Sequence, residues 1–139
     1  MTPFGQPPVF LLEIEVLGPQ ALDPASMGPV RLISISGGRV SGRLQGTILP
    51  GGTDWQTVQG DGSVGIEARY LLELADGARI ELQSRGLRAN GATAFWSSIW
   101  LRSADPAHAW VNGAQFIGLG RKLDGHVAIE AFALPESSD

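Results

Sequence analysis

The sequence of 139 residues has no cysteine, only two histidines and a single lysine, Lys122. A chain without cysteine cannot form a disulfide, a thiolate metal ligand or a cysteine nucleophile. Two histidines give little support to a zinc site, and Schiff-base chemistry would depend on Lys122 alone. We therefore expect no metal and no other cofactor.

Clustered charge and long apolar runs are also missing. The formal net charge is −4, the sequence pI is about 5.1 and the ten basic residues are scattered, whereas nucleic-acid binding needs clustered Lys and Arg. No stretch approaches the ~20 apolar residues of a membrane helix. The first ten residues lack the basic and apolar regions of a secretory signal. We expect a cytoplasmic protein that binds neither nucleic acid nor a membrane.

Glycine, in contrast, is abundant. Nineteen of the 139 residues are glycine, about twice the usual share of ~7%. The glycines stand between short apolar runs whose alternation has the period of two that is typical of β-strands. Asp76-Gly77 and Asp124-Gly125 are strong hairpin signals. The pattern predicts nine strands, at 9–17, 30–36, 42–49, 54–59, 64–74, 79–87, 92–103, 114–123 and 126–134.

Short strands at regular spacing predict an all-β fold, a single antiparallel β-barrel of about eight to nine strands with no substantial helix. A β-sandwich is one alternative. A helix over 67–76, EARYLLELAD, is another, because most of its residues are good helix formers. We expect one domain over residues 1–139, with frayed tails at 1–8 and 135–139.

Two neighbouring strands carry the first candidate site residues. Alternation in 64–74 puts Tyr70 on an apolar face that should be the core, and puts Glu67 and Arg69 on the opposite face. If the barrel interior is instead a polar cavity, Arg69 would point into it and would need Asp54 as a counter-ion. Asp54 and Trp55 are adjacent, so only one of them faces inward. Asp54 also fits the pattern of a plain turn acid.

Strands 9–17 and 92–103 are apolar on both faces. In the second of them, Phe95 and Ile99 oppose Trp96 and Trp100. One explanation is a partner subunit on the outer face, which predicts a homodimer or a higher homo-oligomer. A second is that some of the aromatic residues line a ligand cavity. Ordinary core packing is the third.

The connection 104–113 is placed to cap a barrel mouth. It collects Asp105, His108, Trp110 and Asn112. His108 is the histidine with an acid–base setting, because neutral imidazole can move protons near pH 7. A loop histidine that is merely solvated is the simpler explanation.

The segments LPGGTDWQ, EARYLLELADGARIEL, DPAHAWVN and FIGLGR occur in an order, and at much of the spacing, that resembles domain of unknown function 3237, the UPF0311 proteins. The resemblance covers nearly the whole chain. It implies a small antiparallel β-barrel whose general function is not established. The positions that match the family pattern are Asp54, Trp55, Arg69, Tyr70, Trp110, Asn112 and Arg121. Many relatives carry an insertion within the segment that corresponds to 86–96, so the barrel mouth should be more open here.

These observations predict a barrel that binds a small organic molecule, carboxylate-bearing or aromatic, as a cofactor-free isomerase, cyclase or hydratase. Asp54 would be the general acid or base, Arg69 would hold a carboxylate or enolate oxygen, and His108 would assist at the rim. Ligand contacts would come from Trp55, Glu67, Tyr70, Trp100, Trp110, Asn112 and Arg121. The alternative is a protein without an active site, either an oligomeric interaction protein or a carrier.

Overall fold

The computed structural model describes residues 3–18, 20–25 and 28–135, and these contain ten β-strands. The strands are β1 (Phe10–Val16), β2 (Gln20–Ala25), β3 (Gly28–Gly42), β4 (Gly46–Ile48), β5 (Gly52–Val58), β6 (Val64–Leu74), β7 (Arg79–Arg88), β8 (Ala94–Arg102), β9 (Gln115–Leu123) and β10 (His126–Ala133). Short 3₁₀ helices lie at Pro3–Gly5 and Pro106–Gly113. Within the described ranges, no helix is both long enough and apolar enough to span a bilayer.

The strands pair in antiparallel fashion and close into a barrel. Neighbours follow the order β1, β10, β9, β8, β7 and β6. Strands β4 and β5 lie end to end between β6 and β3, and β3 completes the circle by pairing with β1. Strand β2 pairs with the first half of β3, beyond the end of β1. Eight strand positions therefore surround one interior.

Strand β3 is long because it continues through Gly37 and Gly38, whose φ angles are 155° and 142°. The register between β1 and β3 shifts at this point, between Glu15 and Val16. A Cβ atom on Gly38 would lie only 2.1 Å from the carbonyl oxygen of Glu13. The glycine pair therefore belongs to a β-bulge inside one strand, not to the end of a strand as the sequence pattern predicted.

One end of the barrel, the closed end, is filled by large apolar side chains and covered by the 3₁₀ segment Pro106–Gly113. Val111 of that segment is buried in the same cluster as Leu72, Ile80 and Phe116. The rings of Phe10 and Phe116 meet edge to face with centroids 5.1 Å apart. The turns after β5, β7 and β9 lie at the opposite end, the open end, because successive strands run in opposite directions.

The prediction of an antiparallel β-barrel is confirmed, and the sandwich is wrong. The helix over 67–76 is also wrong, because this stretch belongs to β6 and the turn that follows it. Alternation gave the correct faces, since Tyr70 and Phe95 are buried and Trp96 is exposed. The pattern does not predict β2, and the predicted strand 42–49 is the end of β3 followed by β4. Of the predicted frayed tails, residues 1–2 and 136–139 lie outside the described residues.

Candidate functional site

A cavity of about 330 Å³ occupies the open end of the barrel. Most of its wall is apolar and includes Ile14, Ile33, Ile35, Ile66, Phe95 and Ile129. The polar side chains on the wall are Arg31, Asp54, Gln56, Tyr70, Ser84 and Arg88, and the rim adds Lys122, Asp124 and His126. A mostly apolar pocket with a few convergent polar groups is the usual form of a small-molecule site. We therefore take this cavity as the candidate site.

Asp54 reaches the cavity through the local geometry of β5. Gly51, with a φ of 105°, turns the chain into this strand. Because side chains alternate along a strand, Asp54 points inward and Trp55 points outward, where 45% of its surface is exposed. Asp54 pairs with Ile33 of β3 on one side and with Ala68 of β6 on the other. Its carboxyl group is therefore placed on an apolar part of the wall.

Three polar side chains are linked in a row across this wall. Nη2 of Arg31 donates a hydrogen bond to Oε1 of Gln56 at 2.9 Å, and Nε2 of Gln56 donates to Oδ2 of Asp54 at 3.1 Å. The bond from Arg31 fixes the Gln56 amide so that its NH₂ group faces the carboxyl group. On the wall of the cavity, three buried atoms have no partner among the described residues: Nε of Arg31, Oδ1 of Asp54 and the hydroxyl oxygen of Tyr70. Buried polar atoms in proteins usually have a hydrogen-bond partner. Because these three atoms have none among the described residues, they are available to bind a molecule in the cavity.

The pKa of Asp54 is raised from 3.8 to about 6. Burial is the largest cause, because it removes water from the charged form. The hydrogen bond from Gln56 and the positive charges of Arg88 and Arg31 act in the opposite direction. A carboxyl group with this pKa is present in both protonation states close to neutral pH, as general acid–base catalysis requires.

Tyr70 lies one inward-facing position beyond Ala68, toward the closed end. Burial, and then the nearby charge of Asp54, raise the pKa of the Tyr70 hydroxyl above its ordinary value of 10. The hydroxyl therefore stays protonated and can donate a hydrogen bond. Strand β5 comes close to Tyr70 at Gly52, where an added Cβ atom would lie 2.4 Å from the Cβ atom of Tyr70.

The cavity carries positive charge although the chain as a whole is acidic. Its lining contains three basic and two acidic side chains, namely Arg31, Arg88, Lys122, Asp54 and Asp124. With both acids ionised and His126 neutral, these add to a net +1, whereas the whole chain carries −4. Nη1 of Arg88 donates to the carbonyl oxygen of Ala92 at 3.2 Å, which holds this guanidinium beside the short β7–β8 turn. Such a cavity favours an anionic molecule.

Arg69 lies outside the barrel, so its predicted pairing with Asp54 is wrong. Its Nε and Nη2 atoms donate to Oε1 of Glu81 at 3.1 and 2.6 Å on the outer face. The reason is alternation, because the neighbours Ala68 and Tyr70 take the inward positions of β6. Arg69 therefore cannot hold an oxygen of a molecule inside the cavity.

Four of the predicted ligand contacts also lie on the outer surface: Trp55, Glu67, Trp100 and Arg121. Trp55 and Trp100 are each 45% exposed. Glu67 forms an ion pair with Arg85 across β6 and β7. None of the four lines the cavity, so the structure contradicts their assignment to a ligand inside the barrel.

The segment 104–113 does cap the barrel, but at the closed end. His108 places its Nε2 atom 2.7 Å from Oδ2 of Asp76, in the β6–β7 turn. Strand β6 continues for six residues beyond Ala68, the partner of Asp54, which is about 20 Å of extended chain. His108 is therefore too far from the cavity to assist Asp54, and that prediction is wrong.

Trp110 and Asn112 have structural contacts at the closed end. The indole ring of Trp110 meets Phe116 edge to face, and the guanidinium of Arg43 lies 3.7 Å from its centroid. The side chain of Asn112 forms two hydrogen bonds with the backbone of Ser103. Its Oδ1 atom accepts from the Ser103 N–H at 2.8 Å, and its Nδ2 atom donates to the Ser103 carbonyl oxygen at 2.9 Å. Neither residue lines the cavity.

The structure therefore brings Asp54 and Tyr70 together and adds Arg31, Gln56 and Arg88, which the sequence did not indicate. Gln56 could have been found, because it stands two residues from Asp54 and so shares its face. The two arginines could not, because they lie on distant segments whose pairing is not a local property. Within the described ranges, no three His, Asp or Glu side chains are gathered as metal ligands.

Two curated relatives are similar to part of the sequence. A UPF0311 protein of Bradyrhizobium diazoefficiens is 40% identical over 62 residues, which are 45% of this chain and 41% of the relative. A UPF0311 protein of Clostridium acetobutylicum is 44% identical over 63 residues, which are 45% of this chain and 40% of the relative. The chain thus spans less than half the length of the curated relatives that it matches.

Solved structures are similar over nearly the whole chain. A β-barrel-like protein from Acinetobacter baumannii has a TM-score of 0.87 and 28% identity, over 97% of this chain and 98% of that one. A protein described as an enzyme, from Penicillium herquei, has a TM-score of 0.71 and 19% identity, over 95% and 100%, which shows a shared fold. The model of the family described as "Protein of unknown function (DUF3237)" matches residues 6–134. The predicted membership is confirmed, and the chain belongs to the DUF3237 family.

Proposed function

We propose that the barrel binds a small, mostly apolar organic molecule in its cavity and that Asp54 exchanges a proton with it. The observation that carries this proposal is that three buried atoms on the wall of one apolar cavity, from Arg31, Asp54 and Tyr70, have no hydrogen-bond partner in the part of the chain that the structure describes. A buried polar atom without a partner costs about 1–3 kcal/mol. A bound molecule with matching polar atoms would recover this cost.

The size of the cavity limits the molecule. At about 330 Å³, it is roughly twice the volume of an engineered 150 Å³ cavity that binds benzene in another protein. A substituted single ring or a compact bicyclic molecule therefore fits.

The chemistry follows from the protonation states of two groups. Asp54, as a carboxylate, takes a proton from a carbon next to a carbonyl group, and the C–H electron pair becomes the carbon–carbon double bond of an enolate. The neutral Tyr70 hydroxyl donates a hydrogen bond to the enolate oxygen. In a β,γ-unsaturated carbonyl compound the enolate is conjugated with the existing double bond, so Asp54 can return the proton to the γ carbon. The double bond then moves to the α,β position, and no further reactant is consumed. Cyclase and hydratase reactions would use the same acid–base group.

The test uses 2-tetralone, a bicyclic ketone, in D₂O, with NMR to follow exchange of the protons next to its carbonyl group. We expect the wild type to accelerate exchange over buffer, and Asp54→Asn to lower the enzymatic rate about 100-fold or more. Arg69→Ala is the matched control, because this side chain lies on the outer face of the adjacent strand, and it should keep the wild-type rate. An Asp54→Asn variant as active as the wild type would refute the proposal.

A second candidate is an oligomeric interaction protein, and the outer face favours it. Large apolar side chains exposed there are Trp55, Leu71, Leu87, Trp96 and Trp100. Exposed apolar surface of this kind is typical of protein contacts. Sedimentation of the wild type and of Trp96→Ser over a hundredfold range of protein concentration tests whether the chain assembles through this face. A monomer at every concentration would reject assembly through this face.

A further inference from the structure

The positive charge of the cavity is concentrated toward its mouth. Arg31 lies one inward-facing position closer to the open end than Asp54. Arg88 ends β7, four residues beyond Ser84, which lies in the same cross-strand row as Asp54. Four residues of strand are about 13 Å. Lys122 adds a third positive charge at the rim.

The polar atoms of the wall therefore fall into two groups. Asp54 and the deeper Tyr70 form the inner group, and the arginines form the outer group. Gln56 links the two groups on one side of the wall, and apolar side chains, among them Ile66 and Phe95, occupy most of the rest. A molecule that satisfies both groups has an oxygen at its inner end, an apolar body of about one ring and an anionic group at its outer end.

We propose that the ligand is a monocarboxylate and that Arg88 and Arg31 bind its carboxylate at the mouth of the cavity. Nε of Arg31 is buried without a partner among the described residues. Arg88 has five N–H donors, so its one bond to Ala92 leaves it able to bind both carboxylate oxygens. Arginine suits this role because its planar donor pair matches the geometry of a carboxylate.

At neutral pH, where Asp54 is mostly ionised, a single negative charge fits the cavity better than a phosphate dianion. The lining has a net charge of +1 when Asp54 and Asp124 are ionised, and one carboxylate neutralises it. This inference rests on the proposed small-molecule binding, and it adds the chemical class of the ligand and the residues that select it.

The test compares 4-ethylbenzoate with its neutral isostere 4-ethylbenzamide by titration calorimetry at pH 5.5. We expect the wild type to bind the carboxylate at least about tenfold more tightly than the amide. In the Arg88→Gln variant, the ratio of the affinity for the carboxylate to the affinity for the amide should fall toward one. Arg85→Gln is the matched control, because Arg85 lies on the outer face of the same strand and pairs with Glu67, and it should keep the wild-type preference.

The outcomes separate the two proposals. Equal binding of both probes by the wild type would overturn the carboxylate class but leave small-molecule binding intact. Binding of neither probe would overturn both. A carboxylate preference that survives in Arg88→Gln would overturn the role of Arg88.

The pH dependence of 4-ethylbenzoate binding to the wild type gives a second test, and this test needs no substitution at the mouth of the cavity. Ionisation of Asp54, whose pKa is about 6, adds a negative charge to the cavity and should weaken carboxylate binding as the pH rises from 5 to 7.5. The other charged or titratable side chains that line the cavity are the same in the Asp54→Asn variant, namely Arg31, Arg88, Lys122, Asp124 and His126. Asp54→Asn should lose most of the pH dependence. An unchanged dependence in that variant would contradict the arrangement.

Discussion

Replacing Asp54 by asparagine should stabilise the folded protein at neutral pH. Folding raises the pKa of this carboxyl group from 3.8 to about 6, chiefly through burial. The charged form is therefore disfavoured in the folded state. Asparagine has nearly the same shape, carries no charge and can still accept the hydrogen bond that Gln56 donates.

The sign and size of the effect follow from proton linkage. Below pH 3.8 the group is protonated in both the folded and the unfolded chain, so its charge costs nothing. Between pH 3.8 and 6 the unfolded chain releases the proton first, and stability falls as the pH rises. At about 1.36 kcal/mol for each pH unit, the full cost above pH 6 is about 3 kcal/mol. The Asp54→Asn variant should avoid most of it.

Urea unfolding followed by tryptophan fluorescence measures the free energy of unfolding of both proteins from pH 4 to pH 8. The difference between the two free energies of unfolding reports on Asp54 alone, because the other acidic residues are the same in both proteins. It should be near zero at pH 4 and should favour the variant by up to about 3 kcal/mol at pH 8. A difference that does not change with pH, or a variant less stable than the wild type at pH 8, would refute the reasoning.

Asp61 provides a control of opposite sign. Hydrogen bonds from the side chain and backbone of Ser63 lower the pKa of this exposed carboxyl group. Its contribution to stability is therefore present at neutral pH and is lost as the pH falls toward the folded pKa. Asp61→Asn should destabilise the protein at pH 8, and the difference from the wild type should shrink as the pH is lowered. The two asparagine variants should thus differ in the direction of their pH dependence.

Two further substitutions test packing and hydrogen bonding. Gly52→Ala places a Cβ atom 2.4 Å from the Cβ atom of Tyr70 and should destabilise the protein by about 1–3 kcal/mol, measured by urea unfolding. Gly60→Ala is its control, because nothing lies within 4 Å of the added atom. Asn112→Ala removes both hydrogen bonds to the Ser103 backbone and should cost about 1–3 kcal/mol. It should leave 4-ethylbenzoate binding unchanged, and a loss of that binding would place Asn112 in the site.

The strands could be predicted because their signals are local. Alternation identified β6 and its inner face, and the Asp76-Gly77 dipeptide identified the hairpin that follows. Gly77 has a φ of 88°, and Oδ1 of Asp76 accepts from the Ala78 N–H at 3.0 Å. Both features arise within a few residues of chain. The bulge in β3 could not be predicted in this way, because Gly38 is required by the close approach of a carbonyl group from β1.

The sequence alone could identify the inner group of the site, Asp54 and Tyr70, but it could not identify the arginines that line the same cavity. Because successive side chains of a strand point to opposite faces, the sequence alone shows that Asp54 and Trp55 lie on opposite faces of the sheet. The mistaken pairing of Arg69 with Asp54 could have been avoided, since the β6–β7 hairpin places Glu81 opposite Leu71 and so beside Arg69. No local pattern indicates that β3, about 25 residues earlier in the chain, lies against β5 and supplies the arginine that orients Gln56.

The stability cost of Asp54 and its proposed role have one physical cause. Burial in an apolar wall makes the carboxylate unfavourable, and the same burial moves its pKa into the range where it can exchange protons near neutral pH. Among the described residues the Asp54 side chain makes one hydrogen bond, which asparagine can also accept, and the attraction of Arg88 and Arg31 does not offset the cost of burying the charge. A costly group whose free oxygen faces a cavity is better explained by a bound molecule than by packing. The paired stability and exchange measurements on Asp54→Asn test this directly: the variant should gain stability and lose proton exchange together.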